Sequence, residues 1–341
     1  MKRRVIGTVL FGLGVALLVL AAGLRFYVAP KATQLPYDLG PSTSVVVAKG
    51  ATYVVIANGE PSVKTGDLQA TTDVRPQPVI TQQQMTGPLE GTAVVWDVYS
   101  RVEAVSDKTL VDASTQEIAL DRKTGAAADW SGAWENSTNA AKGEETKVKF
   151  AGHQYKMPFD TQKTSYPFWD GTLGKTLPIE FKSVDTVEGI EVYTFMQTIP
   201  LQQIPLDATT GAVLAAKFGG KQPGGTMWYS NTRTILVEPT TGQFLKVREQ
   251  RRQEYRGGNG TTTVLLDADF NYSDETFRNT VNNINSSLFQ VRLVTLYLPL
   301  TAGLLGLVLM IVGLMMVARS GRPEQGGVAA EDRTARHLQE V

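Results

Sequence analysis

The chain has 341 residues, with 33 basic side chains against 33 acidic ones, two histidines and no cysteine. The absence of cysteine excludes disulfides, thiolate zinc sites and cysteine nucleophiles. A formal charge of zero argues against a nucleic-acid-binding protein, which normally carries a basic excess.

The first predicted element is a membrane-spanning helix over residues 5–27, after a short cytoplasmic segment, residues 1–4. Val5–Leu24 has no charged side chain, and at about 1.5 Å per residue it spans about 30 Å, the thickness of a bilayer hydrocarbon core. A cleaved secretory signal is the alternative, but the apolar region of a signal seldom exceeds about 15 residues. The length therefore favours an uncleaved anchor.

Residues 28–272 predict one β-rich domain outside the membrane. Runs rich in β-branched and aromatic residues alternate with clusters of Gly, Pro, Asp and Thr, a pattern typical of antiparallel strands joined by turns. The predicted fold class is mainly β with some helix (α+β), with a large antiparallel exterior domain between N- and C-terminal transmembrane helices. The predicted strands are Thr43–Ala48, Thr52–Asn58, Thr92–Tyr99, Ile190–Ile199, Arg233–Val237, Phe244–Gln250 and Thr262–Asp267.

An acid-x-x-Thr-Gly motif recurs three times in this domain. The acidic side chain can accept backbone N–H bonds in a turn, and the glycine can adopt the left-handed conformation without a steric penalty. One acid per copy supplies too few oxygens for a calcium loop. We therefore predict structural hairpin turns rather than metal sites. The turns begin and end at Asp121 and Gly125, Asp207 and Gly211, and Glu238 and Gly242.

Two helices are predicted after the β-rich domain. Apolar residues recur on one helical face over residues 273–292, which predicts an amphipathic juxtamembrane helix beginning at Ser273. These apolar residues are Phe277, Val281, Ile284 and Leu288. Leu293–Ala318 has no charged residue, which predicts a second transmembrane helix over residues 293–318. Residues 319–341 have no apolar periodicity and predict a disordered cytoplasmic tail.

Basic residues beside the two spans predict that both termini face the cytoplasm. The outer flanks carry Lys2, Arg3, Arg4, Arg319 and Arg322, and the inner flanks carry only Arg25, Lys31 and Arg292. We therefore expect a two-pass protein of the inner (plasma) membrane with its main domain extracytoplasmic. Small residues four apart within the spans favour close helix pairing. They are Gly12 and Ala16 in the first span, and Ala302 and Gly306 in the second.

The most distinctive segment is Met157–Lys175, which contains Tyr-Pro-Phe-Trp-Asp at residues 166–170. Together with Gly189–Phe195 and Val237–Gly242, it resembles an actinobacterial two-pass envelope family labelled porin PorA-like, which includes the LmcA-type lipoglycan maturation proteins. The resemblance covers the whole chain and implies a role in the cell envelope. It supplies no catalytic residues.

The candidate ligand-binding residues are aromatic side chains and their polar neighbours. Aromatic faces bind sugar rings and acyl chains, and Pro167 and Gly171 predict that the Tyr166–Asp170 segment is a loop. Packing in the core of the domain is the alternative for each tryptophan. The candidates are Tyr166, Phe168, Trp169, Asp170, Lys175, Trp228 and Tyr229.

We expect a non-enzymatic protein that binds, presents or transfers a lipid or lipoglycan intermediate in envelope assembly. Its expected partner is a membrane lipid or glycolipid, with envelope glycosyltransferases as further candidates. No cofactor is predicted, because the chain has no Walker A or dinucleotide fingerprint. His153 has no nucleophile elbow near it, which argues against a Ser-His-Asp triad.

Two alternative functions stay open. The first is a glycoside-processing enzyme that uses a carboxylate pair. Its candidate carboxylates are Asp160, Asp170, Glu180 and Asp185. The second is a porin or channel, as the family label suggests. It is the less favoured, because a transmembrane barrel needs strands of about 9–11 residues with an apolar outer face.

Overall fold

The protein is described by a computed structural model that covers residues 2–57, 59–137, 145–219 and 224–319. The chain divides into two compact units. One unit is Lys31–Val291, and the other comprises the terminal segments Met1–Pro30 and Arg292–Val341. All of the predicted tail after Arg319 lies outside the described residues.

The helices of the described residues are α1 (Lys2–Gly23), α2 (Ala29–Ala32), α3 (Pro78–Gln84), α4 (Ala208–Phe218), α5 (Asp274–Arg292) and α6 (Leu298–Arg319). A π turn, Leu24–Val28, joins α1 to α2, and a second π turn, Leu293–Tyr297, joins α5 to α6. A short 3₁₀ turn occupies Gly87–Leu89. The helical segments Lys2–Ala32 and Asp274–Arg319 are each long and apolar enough to cross a membrane, so the chain has the two terminal apolar helices that the sequence predicts.

Among the described residues, twelve strands form one antiparallel sheet, in the order β6-β5-β4-β3-β2-β1-β12-β11-β10-β9-β8-β7. Two meanders therefore meet where the first strand pairs with the last, which confirms the predicted fold class. The strands are β1 (Ser42–Ala57), β2 (Glu60–Pro76), β3 (Ala93–Ala104), β4 (Leu110–Asp121), β5 (Trp134–Ser137), β6 (Thr146–Lys147), β7 (Tyr166–Asp170), β8 (Lys175–Val187), β9 (Ile190–Ile204), β10 (Gly225–Val237), β11 (Phe244–Gly257) and β12 (Thr262–Tyr272).

Short segments connect β4, the third strand from one end of this order, to β7 at the other end. Ala127 forms an antiparallel bridge with Leu120 of β4, and its amide donates to Gly152 O at 2.8 Å. The next residue, His153, accepts at its carbonyl a bond from the amide of Trp169 on β7, also at 2.8 Å. These bonds complete a closed ring of hydrogen-bonded backbone, which gives the sheet an inner and an outer face.

The two faces of the sheet differ in polarity. Along β10, every second residue from Tyr229 to Val237 is buried, and these side chains belong to the inner face. On the outer face of β11 and β12, the ion pairs Arg248–Asp269 and Arg252–Asp267 each have a 2.6 Å contact, with all four side chains more than 40% exposed. The outer face of these strands is therefore a solvated, charged surface.

Helix α5 packs an apolar face against β9 and β11. At its start, Ser273 Oγ accepts from Thr276 N at 3.1 Å. Ile284 and Leu288 are buried against neighbours on the two strands that include Val192. The helix and its buried face therefore agree with the periodicity of the sequence.

Glycines bring the two apolar helices into close contact. Gly7 lies against Gly313, and Gly14 lies against Gly306, so α1 and α6 run antiparallel. A Cβ placed on Gly14 would lie 2.5 Å from Met310 N, inside the closest contact that a real Cβ makes. The backbones thus approach as closely as they do in small-residue interfaces of membrane helices.

The predicted pairing residues take part in this contact only in the second helix. Gly306 is buried against α1 and Ala302 is half-buried. Gly12 and Ala16 are exposed, and nothing lies within 4 Å of a Cβ on Gly12. The predicted face of α1 is wrong, because Gly12 and Ala16 each lie two residues from Gly14, and residues two apart do not share a helical face.

Candidate functional site

The Tyr166–Asp170 segment is strand β7, paired with Lys175–Ile179 of β8. Trp169 is 6% exposed and packs edge-on against Phe150, with ring centroids 5.4 Å apart. The prediction that this segment is a loop is wrong. Pro167 is compatible with the strand because a peripheral strand tolerates a residue without an N–H donor.

The remaining candidates lie on different surfaces. Trp228 and Tyr229 are adjacent on β10 and therefore point to opposite faces. The Arg256 guanidinium lies 4.0 Å from the Trp228 ring, whereas Tyr229 is 1% exposed. Lys175 is exposed at the start of β8, and Tyr166 lines a surface depression of about 280 Å³. The seven candidates do not form one site.

Two candidates, Asp170 and Tyr229, meet at a buried arginine that sequence reasoning did not single out. Arg233 donates to Asp170 Oδ2 at 3.4 Å and also to Glu249 and Gln197. The Tyr229 hydroxyl donates to the same Asp170 oxygen at 3.0 Å. We call these five residues the arginine cluster: Asp170 (β7), Gln197 (β9), Tyr229 and Arg233 (β10), and Glu249 (β11).

The arginine cluster pairs opposite charges inside the domain. Burial would raise the pKa of Glu249, but Arg233 and Arg251 outweigh burial and hold that pKa below its ordinary range. Burial raises the pKa of Tyr229 to about 12, so its hydroxyl stays protonated and available as a donor. A third candidate, Phe168, lies with its ring 5.1 Å from the Arg233 guanidinium.

A second polar group lies on β4, β5 and the segment before β7. We call its four residues the glutamine group: Gln116, Glu135, Gln154 and Tyr155. The Tyr155 hydroxyl donates to Gln116 Oε1 at 2.6 Å, and Gln154 Nε2 donates to the same oxygen at 3.0 Å. Burial raises the pKa of Glu135, against a hydrogen bond from Gln116 that lowers it. This group is uncharged apart from Glu135.

Two residues connect the groups. Asp112 on β4 interacts electrostatically with Glu135 and with Arg251 on β11, and Arg251 in turn acts on Glu249. We call the two groups together with Asp112, Asn231 and Arg251 the polar belt. Asp112 is exposed and Arg251 is partly exposed, so the belt reaches the surface of the domain at these residues.

Several buried polar atoms of the belt lack a hydrogen-bond partner among the described residues. They are Asn231 Oδ1 and Nδ2, Arg251 Nε and Gln154 Oε1. Protein interiors seldom leave buried polar atoms unpaired, so each such atom calls for an explanation, of which a bound polar group is one. The belt is therefore the candidate functional site, since its unpaired atoms can donate hydrogen bonds to a polar ligand and accept hydrogen bonds from it.

Two copies of the acid-x-x-Thr-Gly motif form the predicted turns. Asp121 Oδ1 accepts from Thr124 N at 2.7 Å, and Glu238 Oε2 accepts from Thr241 N at 2.7 Å. Gly125 and Gly242 close the turns at φ of 72° and 71°. The carboxylates satisfy backbone donors of the turn, which is a structural role.

The third copy starts a helix. Asp207 is the N-cap of α4, and its side chain accepts from Thr210 N at 2.8 Å. Gly211 lies inside α4, so the prediction of a hairpin turn at this copy is wrong. The reason is the sequence that follows, Ala212–Phe218, which contains three alanines and favours helix propagation.

A buried lysine lies between the two turns. A Cβ on Gly125 would contact the Lys156 side chain, and a Cβ on Gly242 would overlap Met157 O and Pro158 O. Lys156 Nζ donates to Met157 O at 2.8 Å, and burial lowers its pKa to about 7. The two turns thus pack closely against the segment Lys156–Pro158, which carries this amine.

The carboxylates proposed for an enzyme are not brought together. Asp160, Glu180 and Asp185 are exposed, whereas Asp170 is buried in the arginine cluster. In the described part of the chain, no group of three or more His, Asp and Glu side chains could hold a metal ion.

A different pair of carboxyl groups does meet. Asp97 and Glu117 are directly opposite on β3 and β4 and hydrogen-bond to each other, and burial raises the pKa of both. Glycosidase carboxyls are about 5–9.5 Å apart to admit the sugar or a water molecule. A pair in direct contact leaves no such gap.

Comparison with known proteins identifies the family. A sequence model described as "Porin PorA" matches residues 6–315. The chain belongs to the PorA family. A protein of Corynebacterium resistens named "Porin PorA" is 24% identical over 410 aligned residues, which cover 95% of this chain and 98% of that protein. Another "Porin PorA", from Corynebacterium amycolatum, is 25% identical over 298 residues, 73% of this chain and 77% of that protein.

Family membership confirms the resemblance carried by the Tyr-Pro-Phe-Trp-Asp segment and its companions. With its two terminal apolar helices, the chain is a membrane protein of the PorA family. The relatives are named as porins, which are not enzymes. Asn231 and Arg233 of this PorA chain were missed by sequence reasoning, although their spacing of two residues from the buried Ile235 and Val237 on β10 places them on the inner face. Arg251, on β11, was missed as well.

Proposed function

We propose that this PorA-family chain is a non-enzymatic envelope protein that binds the polar headgroup of a lipid or lipoglycan in its polar belt. The observation that carries the proposal is the set of buried, unpaired polar atoms in the belt. A headgroup that supplied their missing hydrogen bonds would remove the cost of leaving them unpaired.

The apolar helices support the same proposal. A lipid-linked ligand lies at a membrane, and a domain tied to membrane-spanning helices at both of its ends stays at that surface. We further propose that both termini are cytoplasmic and that the domain is extracytoplasmic, because the basic residues lie mostly on the outer flanks of the helices. Presentation of the ligand to envelope glycosyltransferases is the corresponding role in assembly.

The test is native mass spectrometry of the full-length protein in detergent, asking whether a lipid or glycolipid co-purifies. Arg251→Met removes a belt donor, and we expect the bound fraction to fall about tenfold or more. Arg248→Met is the matched control, because Arg248 lies on the same strand but pairs with Asp269 on the outer face. No bound amphiphile in the wild-type protein, or equal loss in both variants, would contradict the proposal.

A second candidate is solute passage, which the names of the relatives favour. A charged inner face is compatible with a polar path, but the ion pairs on the outer face of β11 and β12 would be costly in contact with lipid. Conductance of planar bilayers containing the purified protein tests this candidate. Arg251→Met should then change ion selectivity, whereas under the first proposal the bilayers stay non-conducting.

A further inference from the structure

The side-chain amide of Asn231 is the least satisfied polar group of the belt. Asn231 is 1% exposed, and neither its oxygen nor its nitrogen has a well-directed hydrogen bond within the described residues. The amide is close enough to Glu249 to lower the pKa of that carboxyl, but its oxygen and its second N–H are still left without a partner. A primary amide in this state offers one acceptor and one donor side by side.

Arg251 supplies a further donor at the same place. It is directly opposite Asn231 in the β10–β11 register, so the two side chains are cross-strand neighbours on one face. Arg251 Nε has no hydrogen-bond partner, and a terminal guanidinium nitrogen reaches Thr172 Oγ1 at 3.3 Å. Arg251 is partly exposed, so this pair of side chains lies next to the surface of the domain.

The charges around the amide determine the kind of ligand. Arg233 and Arg251 contribute two positive charges, and Asp170 and Glu249 contribute two negative charges, so these four side chains sum to zero. Asp112 of β4 adds one further negative charge next to Arg251. A phosphate would gain no attraction from an excess of positive charge, and a cation would be repelled by the Arg251 guanidinium. A neutral ligand meets neither penalty.

We propose that Asn231 and Arg251 form a subsite for two adjacent hydroxyl groups of a neutral sugar or polyol. Each hydroxyl both donates and accepts, so one can accept from Arg251 Nε while donating to Asn231 Oδ1, and its neighbour can accept from Asn231 Nδ2. The subsite rests on the proposed function and specifies the headgroup chemistry that the belt takes.

The test is a saturation-transfer NMR titration of the full-length protein in detergent with myo-inositol, methyl β-glucoside and inositol 1-phosphate. We expect the two neutral probes to bind and Asn231→Leu to weaken their binding at least tenfold. The melting temperature of Asn231→Leu should stay equal or rise, because leucine leaves no unpaired buried polar group. A structural asparagine would instead lose stability on this change.

Asn271→Leu is the matched control, since the Asn271 amide is bonded to Asp269 on β12 and its loss should leave probe binding unchanged. Asn231→Ala, which adds no bulk, replaces the leucine variant if that variant does not fold. Tighter binding of inositol 1-phosphate would overturn the neutral-diol subsite. An amphiphile that co-purifies equally with wild type and Asn231→Leu, but not with Arg251→Met, would overturn the subsite and leave the proposed function standing. If no amphiphile co-purifies and no probe binds, both the subsite and the proposed function are contradicted.

Discussion

Two glycines at the same position of the acid-x-x-Thr-Gly motif have opposite roles. Gly242 has a φ of 71°, and a Cβ there would overlap two backbone oxygens. Gly242→Ala should therefore lower the free energy of unfolding by about 2 kcal/mol or more. Gly211 is helical, so Gly211→Ala should leave stability unchanged or raise it by up to about 1 kcal/mol. Denaturant unfolding of the purified protein, followed by tryptophan fluorescence, measures both. Equal effects of the two substitutions on the free energy of unfolding would contradict this difference between Gly242 and Gly211.

Lys156 should make the stability of the domain depend on pH. Burial lowers its pKa from 10.5 to about 7, so between these values the unfolded chain binds more protons and the free energy of unfolding rises with pH. The slope approaches about 1.4 kcal/mol per pH unit. Lys156→Met should stabilise most at or below pH 7 and progressively less towards pH 10.5. Urea unfolding of the wild-type protein and of Lys156→Met across this pH range tests the prediction. A gain in the free energy of unfolding that does not depend on pH would contradict the lowered pKa of Lys156.

The arginine cluster illustrates why a site formed by several strands was only partly predictable. Asp170 and Tyr229 were candidates because they adjoin tryptophans, but the sequence does not state which strands are neighbours. Arg233 was only the first residue of a predicted strand, and its role became apparent from its partners on β7, β9 and β11. Strand alternation alone could have separated Trp228 from Tyr229, since adjacent residues face opposite sides.

At the scale of elements, apolar strands were predictable and polar ones were not. The β-branched run Ile190–Ile199 falls within β9, and Phe244–Gln250 falls within β11. Glu60–Pro76 forms β2 although most of its residues are polar. Its outer face is solvated, where polar residues are tolerated because the sheet needs only one apolar face. Helix α5 was predictable because its periodicity is sustained over three turns.

The contact between α1 and α6 gives a prediction at the same scale. Gly14→Leu should separate the helices, because a side chain there would meet the backbone at Met310 and Gly306. We expect a lower melting temperature in detergent and a lower abundance in the membrane. Gly12→Leu is the control, since Gly12 has open space around it. A matching fall in both variants would indicate a general effect of bulk within the bilayer rather than loss of this contact.

For the whole molecule, the antiparallel helices predict that both ends of the chain lie on one side of the membrane. A reporter enzyme active only outside the cytoplasm should be silent when fused after Ala318 or at the N-terminus. It should be active when inserted in the Gly257–Gly260 loop of the domain. The reverse pattern would overturn the orientation inferred from the basic flanks, and reporters that differ between the two termini would exclude the helix pairing.

The pairing of β1 with β12 also bears on the order of folding during synthesis. The first strand leaves the ribosome roughly two hundred residues before its partner β12. Until β12 is made, the meander β1–β6 therefore has the backbone edge of β1 unpaired. A chain interrupted after β11 would keep that edge permanently and would be a target for proteolysis or self-association. The ring can close only when β12 arrives, immediately ahead of the second apolar helix, so completion of the domain and its second attachment to the membrane become nearly simultaneous events.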